Sequence, residues 1–332
     1  MTAGLPGPGA SRLETLVATG VRPIVTGELP VVDGGGLAAV RRALAPLLGW
    51  VDAVNATDNA AAHAHASSLA VAAAIHELGA EPVLQVVGRD RNRLAIQADI
   101  VGASLFGIVN VCCLTGDDVS AGDEPEARRV FDLDGPEIVR VATLLGEGSY
   151  LSGRAIDPAP HLFVGAVENP GAPPLDYRVR RAEKKVAAGA RFLQLQICFH
   201  PERLEKFCSQ AQATGLAQRA ALLPTVCLVR GGRALRFMDR HVPGISIPED
   251  TIRRVHDSGD ESEAAYQLAL EQARHALAQP GVRGLHLSDF RRDQSVARLL
   301  TDLGLRPRDH ADPTTHTPPG EEPHAHDPAL AV

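Results

Sequence analysis

The chain has 332 residues, of which 45% are apolar and 22% charged, a composition typical of a globular enzyme with one large domain or two ordinary ones. Its formal net charge of −7 argues against nucleic acid as a partner, because phosphate binding favours a basic surface. It contains no apolar run of about 20 residues and no basic N-terminus followed by an apolar stretch, so we expect no membrane span, no signal peptide and a cytoplasmic location.

The two ends of the chain differ in composition from the middle. Residues 1–15 begin with a Gly- and Pro-rich stretch and are predicted to form a flexible arm. Residues 308–332 are polar and Pro-rich, so they cannot bury enough apolar surface to become ordered. The four histidines of this tail could chelate a metal, but we favour a disordered terminus, and we predict no metal site elsewhere. A single folded domain is therefore expected over residues 16–307.

Eight apolar runs between these ends are predicted to be strands. Several are nearly continuous in Val, Ile and Leu, which is typical of strands that are covered on both faces. In chain order they are residues 23–29, 50–57, 82–88, 108–116, 161–169, 192–199, 222–229 and 282–288.

Eight segments rich in Ala, Leu and Arg follow these runs in alternation and have the period of a helix. They are residues 37–48, 65–79, 92–107, 135–148, 176–190, 202–215, 261–279 and 295–304. This alternation predicts an α/β fold, a (β/α)8 TIM barrel, as a single domain. The alternative, an open doubly wound sheet, usually has fewer strands.

The five cysteines form no pattern that suggests a metal site or a disulfide framework. Their number is odd, no C-x-x-C pair occurs, and Cys112 and Cys113 lie within an apolar run. We therefore expect all five to be reduced residues in or near the core, which suits a reducing compartment.

The candidate site is predicted at the C-terminal ends of the strands, where TIM-barrel enzymes place their chemistry. Glu28 ends the first run, and a carboxyl group held partly dry there could donate a proton near neutral pH, although an ordinary loop acid is the alternative. Asp117 follows Gly116 at the end of the fourth run, where a simple Gly-Asp turn is the alternative. These polar residues are expected to converge on one mouth.

Gln194 and Gln196 are unusual because they lie inside an otherwise apolar run. Residues two apart in a strand share a face, so both amides should point the same way. If they point into the barrel, Gln196 would reach the mouth and offer a ligand both a donor and an acceptor. The alternative is a pair of core amides whose hydrogen bonds are satisfied internally.

Several segments, taken in order, resemble the methylenetetrahydrofolate reductase family, and in particular the bacterial branch that is often fused to a homocysteine methyltransferase. The resemblance covers about residues 20–305. Its motifs are "VNATDN" (54–59), "GRDRN" (88–92), "GIVNVCCLTGD" (107–117), "VFDLD" (130–134), "ENPGAPPLD" (168–176), "EKKVAAGARFLQLQICF" (183–199) and "VPGISIPE" (242–249).

This resemblance implies a flavoprotein oxidoreductase of one-carbon metabolism and methionine biosynthesis. NADH or NADPH would reduce a bound FAD, which would then pass a hydride to 5,10-methylenetetrahydrofolate and form 5-methyltetrahydrofolate. Glu28 matches the general acid, Asp117 the acid beside the flavin that also holds the pterin, and Gln196 the amide that contacts folate and nicotinamide. The cofactor positions implied are Thr57, Asp58, Gln85, Thr115, Gly116, Asp117, Phe131, Ala166, Lys184 and Lys185.

The chain departs from the family pattern around the implied flavin. Gln85 stands where many relatives have a histidine, and Glu183 stands where a basic residue usually precedes the lysine pair. The aromatic residue that often follows the Gly-Asp pair is absent from residues 122–129. Two alternatives therefore stay open: a flavin-free or weakly flavin-binding paralogue that acts on C1-folates, and a non-catalytic subunit of a reductase or methyltransferase complex. A homo-oligomer or a methyltransferase partner is compatible with the resemblance, and the choice of nicotinamide is left open.

Overall fold

Eight parallel strands close into a barrel in the computed structural model, which describes residues 9–305 and 307. Each strand pairs with its neighbours in chain order, and the last pairs with the first. Each overlaps one predicted run, so the predicted TIM barrel is confirmed. The strands are β1 (Ile24–Glu28), β2 (Ala53–Ala56), β3 (Pro82–Val87), β4 (Asn110–Leu114), β5 (Phe163–Glu168), β6 (Phe192–Leu195), β7 (Ala221–Leu228) and β8 (Gly284–Asp289).

Eleven α-helices accompany these strands in the described part of the chain. Eight of them correspond to the predicted helical segments, and the other three are additional. The helices are α1 (Arg12–Thr19), α2 (Gly36–Leu44), α3 (Ser68–Glu77), α4 (Arg93–Leu105), α5 (Gly135–Gly146), α6 (Arg178–Ala187), α7 (Pro201–Ala213), α8 (Gly232–His241), α9 (Glu249–His256), α10 (Glu261–Leu277) and α11 (Ser295–Asp302).

Alternation along the strands divides the side chains between two cores. One set faces the helices and forms the larger apolar layer outside the barrel. The other set fills the lower barrel, where the Phe163 and Phe192 rings stack with centroids 5.5 Å apart. Gly165 makes room for this pair, because a Cβ on Gly165 would lie 2.3 Å from the Phe192 ring. The barrel interior is therefore a packed core and not a pore.

Helix α1 closes the barrel at the N-terminal ends of its strands. Leu13 is fully buried there, and the backbone N–H groups of Arg12 and Leu13 donate to the Glu81 carboxylate at 2.6 and 2.9 Å. Burial raises the pKa of Glu81, and these donors oppose that rise. The expected flexible arm over residues 1–15 does not hold for residues 12–15, because they form the start of α1 and Leu13 is fully buried in the barrel. Residues 1–8 lie outside the described residues.

Helices α8 and α9 lie in the connection after β7 and were not predicted. They pack on a separate apolar cluster that includes Leu235, Met238, Ile252 and Val255. Each helix is short and strongly amphipathic, and the segment between them contains Pro243, Gly244 and Pro248. Two short helices separated by such residues each have too few turns for the helical period to be recognised in the sequence.

The five cysteines are all free thiols. Four of them are buried and Cys198 is half-buried, as predicted. Burial raises the pKa of Cys112 to about 12, so this thiol stays protonated inside the barrel. The predicted tail over residues 308–332 lies outside the described residues.

Candidate active site

Glu28 lies at the C-terminal end of β1, at the mouth of the barrel, where it is half-buried. Its two carboxylate oxygens are held by the neighbouring strands. Thr57, just after β2, donates from Oγ1 to Oε1 at 3.1 Å, and Ser288 of β8 donates from Oγ to Oε2 at 2.8 Å. The carboxyl group is therefore fixed in orientation at the predicted mouth.

A buried polar layer crosses the barrel below Glu28. Gln194 and Asn55 exchange two amide hydrogen bonds of 2.7 and 3.0 Å. Thr26 Oγ1 lies 2.9 Å from His286 Nδ1, and the Gln194 Nε2 atom lies 3.4 Å from both of these atoms. Burial lowers the pKa of His286, so its imidazole is held neutral. Gln194 is therefore a satisfied core amide, which was the alternative stated for it.

Gln196 lies one step beyond the end of β6, on the same side of the chain as Gln194. Its backbone N–H donates to the Glu168 carbonyl oxygen at 2.8 Å, and its Oε1 accepts from the Ile197 N–H at 2.9 Å. Its side-chain nitrogen has no protein hydrogen-bond partner among residues 9–305 and 307. Both N–H donors of this half-buried amide are thus left for a ligand at the mouth.

Gly116 and Asp117 follow β4, where the chain turns sharply. Gly116 has φ +92°, and a Cβ there would lie 2.4 Å from Val87 Cγ1, so only glycine fits this turn. Asp117 is exposed at the mouth. Desolvation by the surrounding protein raises the pKa of its carboxyl group, and Arg89 opposes that shift. The apolar run that begins at Gly107 therefore ends in a glycine because the backbone at Gly116 lies against Val87. The next residue, Asp117, lies at the mouth.

Asp58 and Arg91 form a buried ion pair between the connections that follow β2 and β3. The Arg91 guanidinium donates to both oxygens of Asp58, which also accepts the Val87 N–H at 2.9 Å. Next to it, Arg89 is 3% exposed and donates twice to Asp90 at 2.7 Å. The "GRDRN" motif thus connects the loops that follow β2 and β3. Both oxygens of the Asp58 carboxylate already accept hydrogen bonds.

Lys185 is buried between α6 and the C-terminal end of β5. Its Nζ atom lies 2.7 Å from Glu168 Oε2, and the two residues are 4% and 3% exposed. Arg178 and Arg181 lie 3.5 and 3.9 Å from the same carboxylate. Burial lowers the pKa of Lys185, and the charge of Glu168 opposes that shift. Lys184 is exposed and donates to the Tyr177 hydroxyl at 3.1 Å.

The other implied cofactor positions have different surroundings. Gln85 is buried on the inner face of β3, whereas Ala166 is fully buried on the outer face of β5, away from the mouth. Thr115 Oγ1 accepts the first N–H of α5, that of Gly135, at 2.9 Å. Phe131 is half-buried with φ +39°. Glu28 and Thr57 are thus in contact at the mouth. Ala166, Thr115 and Asp58 instead make contacts within the protein.

A cavity of about 380 Å³ opens beside Glu28. One face of α2, the connection after β1 and the end of β8 enclose it, and Asp289 and Arg292 lie on the β8 side. Burial raises the pKa of Asp289, whose Oδ1 accepts the backbone N–H groups of Arg291 and Arg292. Glu28 therefore faces a half-open cleft of the size that binds part of a small ligand.

Sequence reasoning missed part of this site. Ser288 appeared only as a strand end, and Thr26, Asn55 and Arg42 were not singled out. Alternation from Glu28 back to Thr26, and from Ser288 back to His286, would have placed Thr26 and His286 inside the barrel. Within residues 9–305 and 307, no helix is long and apolar enough to cross a bilayer, and no three metal-binding side chains converge.

Comparison with known proteins adds a sequence match over most of the barrel. The profile of the methylenetetrahydrofolate reductase family matches residues 43–304. Methylenetetrahydrofolate reductase 2 of Schizosaccharomyces pombe is 24% identical over 211 residues, 61% of this chain and 32% of that protein. A probable methylenetetrahydrofolate reductase (NADPH) of Caenorhabditis elegans is 24% identical over 245 residues, 72% of this chain and 34% of that protein. The chain thus spans about a third of the length of these curated relatives.

Solved structures share the fold at low sequence identity. An uncharacterized protein from Clostridium thermocellum that binds two copies of 5-methyl-5,6,7,8-tetrahydrofolic acid superposes with a TM-score of 0.62 at 13% identity, covering 88% of this chain and 98% of that one. An EDTA monooxygenase from a Chelativorans species superposes with a TM-score of 0.52 at 11% identity, covering 88% and 96%. At these identities the likeness concerns the barrel alone.

Proposed function

The chain belongs to the methylenetetrahydrofolate reductase family, and from that membership we propose that it reduces 5,10-methylenetetrahydrofolate to 5-methyltetrahydrofolate with a hydride that originates on NADH or NADPH. The observation that carries this proposal is the position of Glu28. It is the carboxyl group held by Thr57 and Ser288 at the mouth, and it faces the cavity. A fixed, half-buried acid is what the protonation step of this reaction needs.

Glu28 is proposed to donate its proton to the bridging nitrogen that carries the aminobenzoyl ring. The bond from that nitrogen to the methylene carbon then breaks, and its electron pair stays on the nitrogen. The methylene carbon becomes an iminium carbon on the pterin nitrogen. A hydride from the nicotinamide converts it to a methyl group, the nicotinamide is oxidised, and Glu28 regains a proton from water.

Asp117 and Gln196 are proposed to position the reactants. The exposed Asp117 carboxylate can accept N–H groups of the pterin, and the free amide nitrogen of Gln196 can donate to a carbonyl oxygen of the folate or the nicotinamide. Neither residue transfers a proton in this scheme. Their contribution is to hold the donor carbon and the acceptor carbon close together.

Three of the ten positions implied for FAD have side chains that already make contacts within the protein or point away from the mouth. Asp58 is saturated by Arg91, Lys185 is buried against Glu168, and Ala166 faces the helix layer. The diphosphate of FAD needs donors or cations, and Lys184 is the one lysine of the pair that is exposed. We therefore assign no step to FAD. These contacts favour the alternative in which the hydride passes directly from the nicotinamide to the folate.

An absorbance spectrum of the purified protein, with and without added FAD, tests the cofactor proposal. We expect no flavin band after removal of unbound FAD, and turnover of methylenetetrahydrofolate with NADH or NADPH that added FAD does not change. A yellow protein whose flavin bleaches with the nicotinamide would instead support the FAD route. A colourless protein that produces no methyltetrahydrofolate under either condition would contradict the proposed reduction itself.

A further inference from the structure

The outward face of α4 is apolar along its whole length. Leu94 and Leu105 are 75% and 82% exposed, which makes them the two most exposed large apolar side chains in the described part of the chain. Ala98, which is also exposed, and the half-buried Val101 lie between them. The spacings of four, three and four residues place all four side chains in one row. Single exposed apolar residues are common, but a row of them marks a contact surface.

The charged residues of α4 lie outside this row. The helix contains two of them, Arg93 and Asp99. Arg93 lies 2.8 Å from Asp132, and Asp99 lies 3.0 Å from Arg91. A helix turns by about 100° per residue, so both point about 100° or more away from the centre of the row. The row therefore carries no charge, although the chain as a whole has a formal net charge of −7.

Helix α3 extends the apolar surface beside the row. It contains no ionisable residue before His76 and Glu77 at its end, and Ala70 on it is exposed. The two helices pack closely, because a Cβ on Gly102 would lie 3.9 Å from the Leu69 Cδ2 atom. Together they form the α3–α4 face, which measures about 20 Å along each edge, or about 400 Å². A helix that is apolar all round is normally buried against a neighbour.

The row on α4 is self-complementary about its midpoint, because leucines stand at its ends and smaller residues at its centre. A two-fold axis through that midpoint places Leu94 opposite Leu105 of a second copy, and Ala98 opposite Val101. Spacings of four and three residues are those of the seam between paired helices, and a small residue at the centre allows their axes to approach to about 8–10 Å. We propose that two copies of this chain associate through the α3–α4 face, with their α4 helices antiparallel.

Charge and area favour a second copy as the occupant. Two molecules that each carry a charge of −7 repel one another least where they meet through an uncharged surface. Helices that lie on a lipid surface are rich in Lys and Arg, whereas α3 has neither and α4 has only Arg93. The two faces together present about 800 Å², less than the 1,200–2,000 Å² of stable interfaces. The dimer is therefore weak and depends on concentration.

Sedimentation velocity over a range of protein concentrations tests this proposal. The variants are Leu94→Glu, Leu105→Lys and the double variant that carries both changes. Phe237→Glu is the matched control, because Phe237 is 61% exposed on α8. Helix α8 follows β7, and α4 follows β3, so the two helices lie on opposite sides of the closed barrel. Circular dichroism of each variant would show that these exposed substitutions leave the fold unchanged.

We expect the unaltered protein to convert from monomer to dimer with a Kd of roughly 1–100 μM. Each single variant should weaken the dimer by roughly 100-fold, because it buries an unpaired charge in an apolar interface. Phe237→Glu should not change the Kd. The double variant should associate more strongly than either single variant, because the two-fold axis places its two opposite charges against each other.

Four results would overturn the proposal. One is a protein that stays monomeric at roughly 1 mM, ten times above the expected range of Kd. The second is an equal loss of association in Phe237→Glu. The third is a double variant that associates no better than the single variants, since like charges would then meet, as in a parallel pair. The fourth is a monomer that binds phosphatidylcholine vesicles and loses that binding in Leu94→Glu, which would assign the face to lipid.

Discussion

Replacing Glu28 by glutamine is expected to lower kcat/KM for methylenetetrahydrofolate by roughly 10²–10⁴-fold, the usual contribution of a general acid. Glutamine has nearly the same shape and keeps an acceptor oxygen for Thr57 or Ser288, but it cannot supply a proton. Binding of 5-methyltetrahydrofolate should change little, because this product needs no protonation at the bridging nitrogen. Steady-state kinetics and calorimetry on the same preparation would check both expectations.

Asp289→Asn is the matched control for this variant. It removes the other half-buried carboxyl group of the cavity and keeps the oxygen that accepts the N–H groups of Arg291 and Arg292. We expect a much smaller loss of kcat/KM than in Glu28→Gln. If the two variants lost the same activity, or if Asp289→Asn lost more, Glu28 would not be the proton donor.

Replacing Lys185 by methionine is expected to lower the free energy of unfolding by about 3 kcal/mol, the lower end of the cost of breaking a buried ion pair. Glu168 would be left buried without its closest cation, and Arg178 and Arg181 would compensate only in part from 3.5 and 3.9 Å. Chemical denaturation would measure the change. Lys184→Met, one residue earlier and exposed, should stay within about 0.5 kcal/mol of the unaltered protein.

A Glu168→Leu and Lys185→Met double variant provides the second half of this experiment. Removing both charges together avoids the uncompensated carboxylate, so much of the lost stability should return. A Lys185→Met protein with unchanged stability but a large loss of FAD affinity would contradict the structural role. Lys185 would then bind the flavin, as the family resemblance implies.

The barrel was predictable because its signal is local and repeated. Each strand is a short apolar run, and each is followed by a segment of helical period, so the count of eight could be read along the chain. Helices α8 and α9 were missed because Pro243, Gly244 and Pro248 divide their connection into short pieces. Residues 12–15 were assigned to an arm because a Gly- and Pro-rich stretch precedes them, although Leu13 is fully buried.

The positions of the two acidic residues at the mouth could be predicted from the sequence. The contacts between residues distant in the chain could not. Glu28 and Asp117 end apolar runs, which places them at the mouth of any parallel barrel. The amide pair of Gln194 and Asn55 joins residues 139 positions apart, and no local pattern reveals that contact. Lys185 lies one residue from Lys184, but the rotation of the helix turns it into the core. Which residue of such a pair is buried depends on the packing of α6 against β5.

Transfer of deuterium from NADH labelled at C4 into the product tests the central claim most directly. The purified protein would be incubated with methylenetetrahydrofolate and C4-dideuterated NADH, or in a parallel reaction C4-dideuterated NADPH, without added FAD. The product would be analysed by mass spectrometry. Direct hydride transfer predicts 5-methyltetrahydrofolate with one deuterium in its methyl group. Absence of 5-methyltetrahydrofolate with either nicotinamide, or a methyl group whose hydrogen comes from solvent, would contradict it.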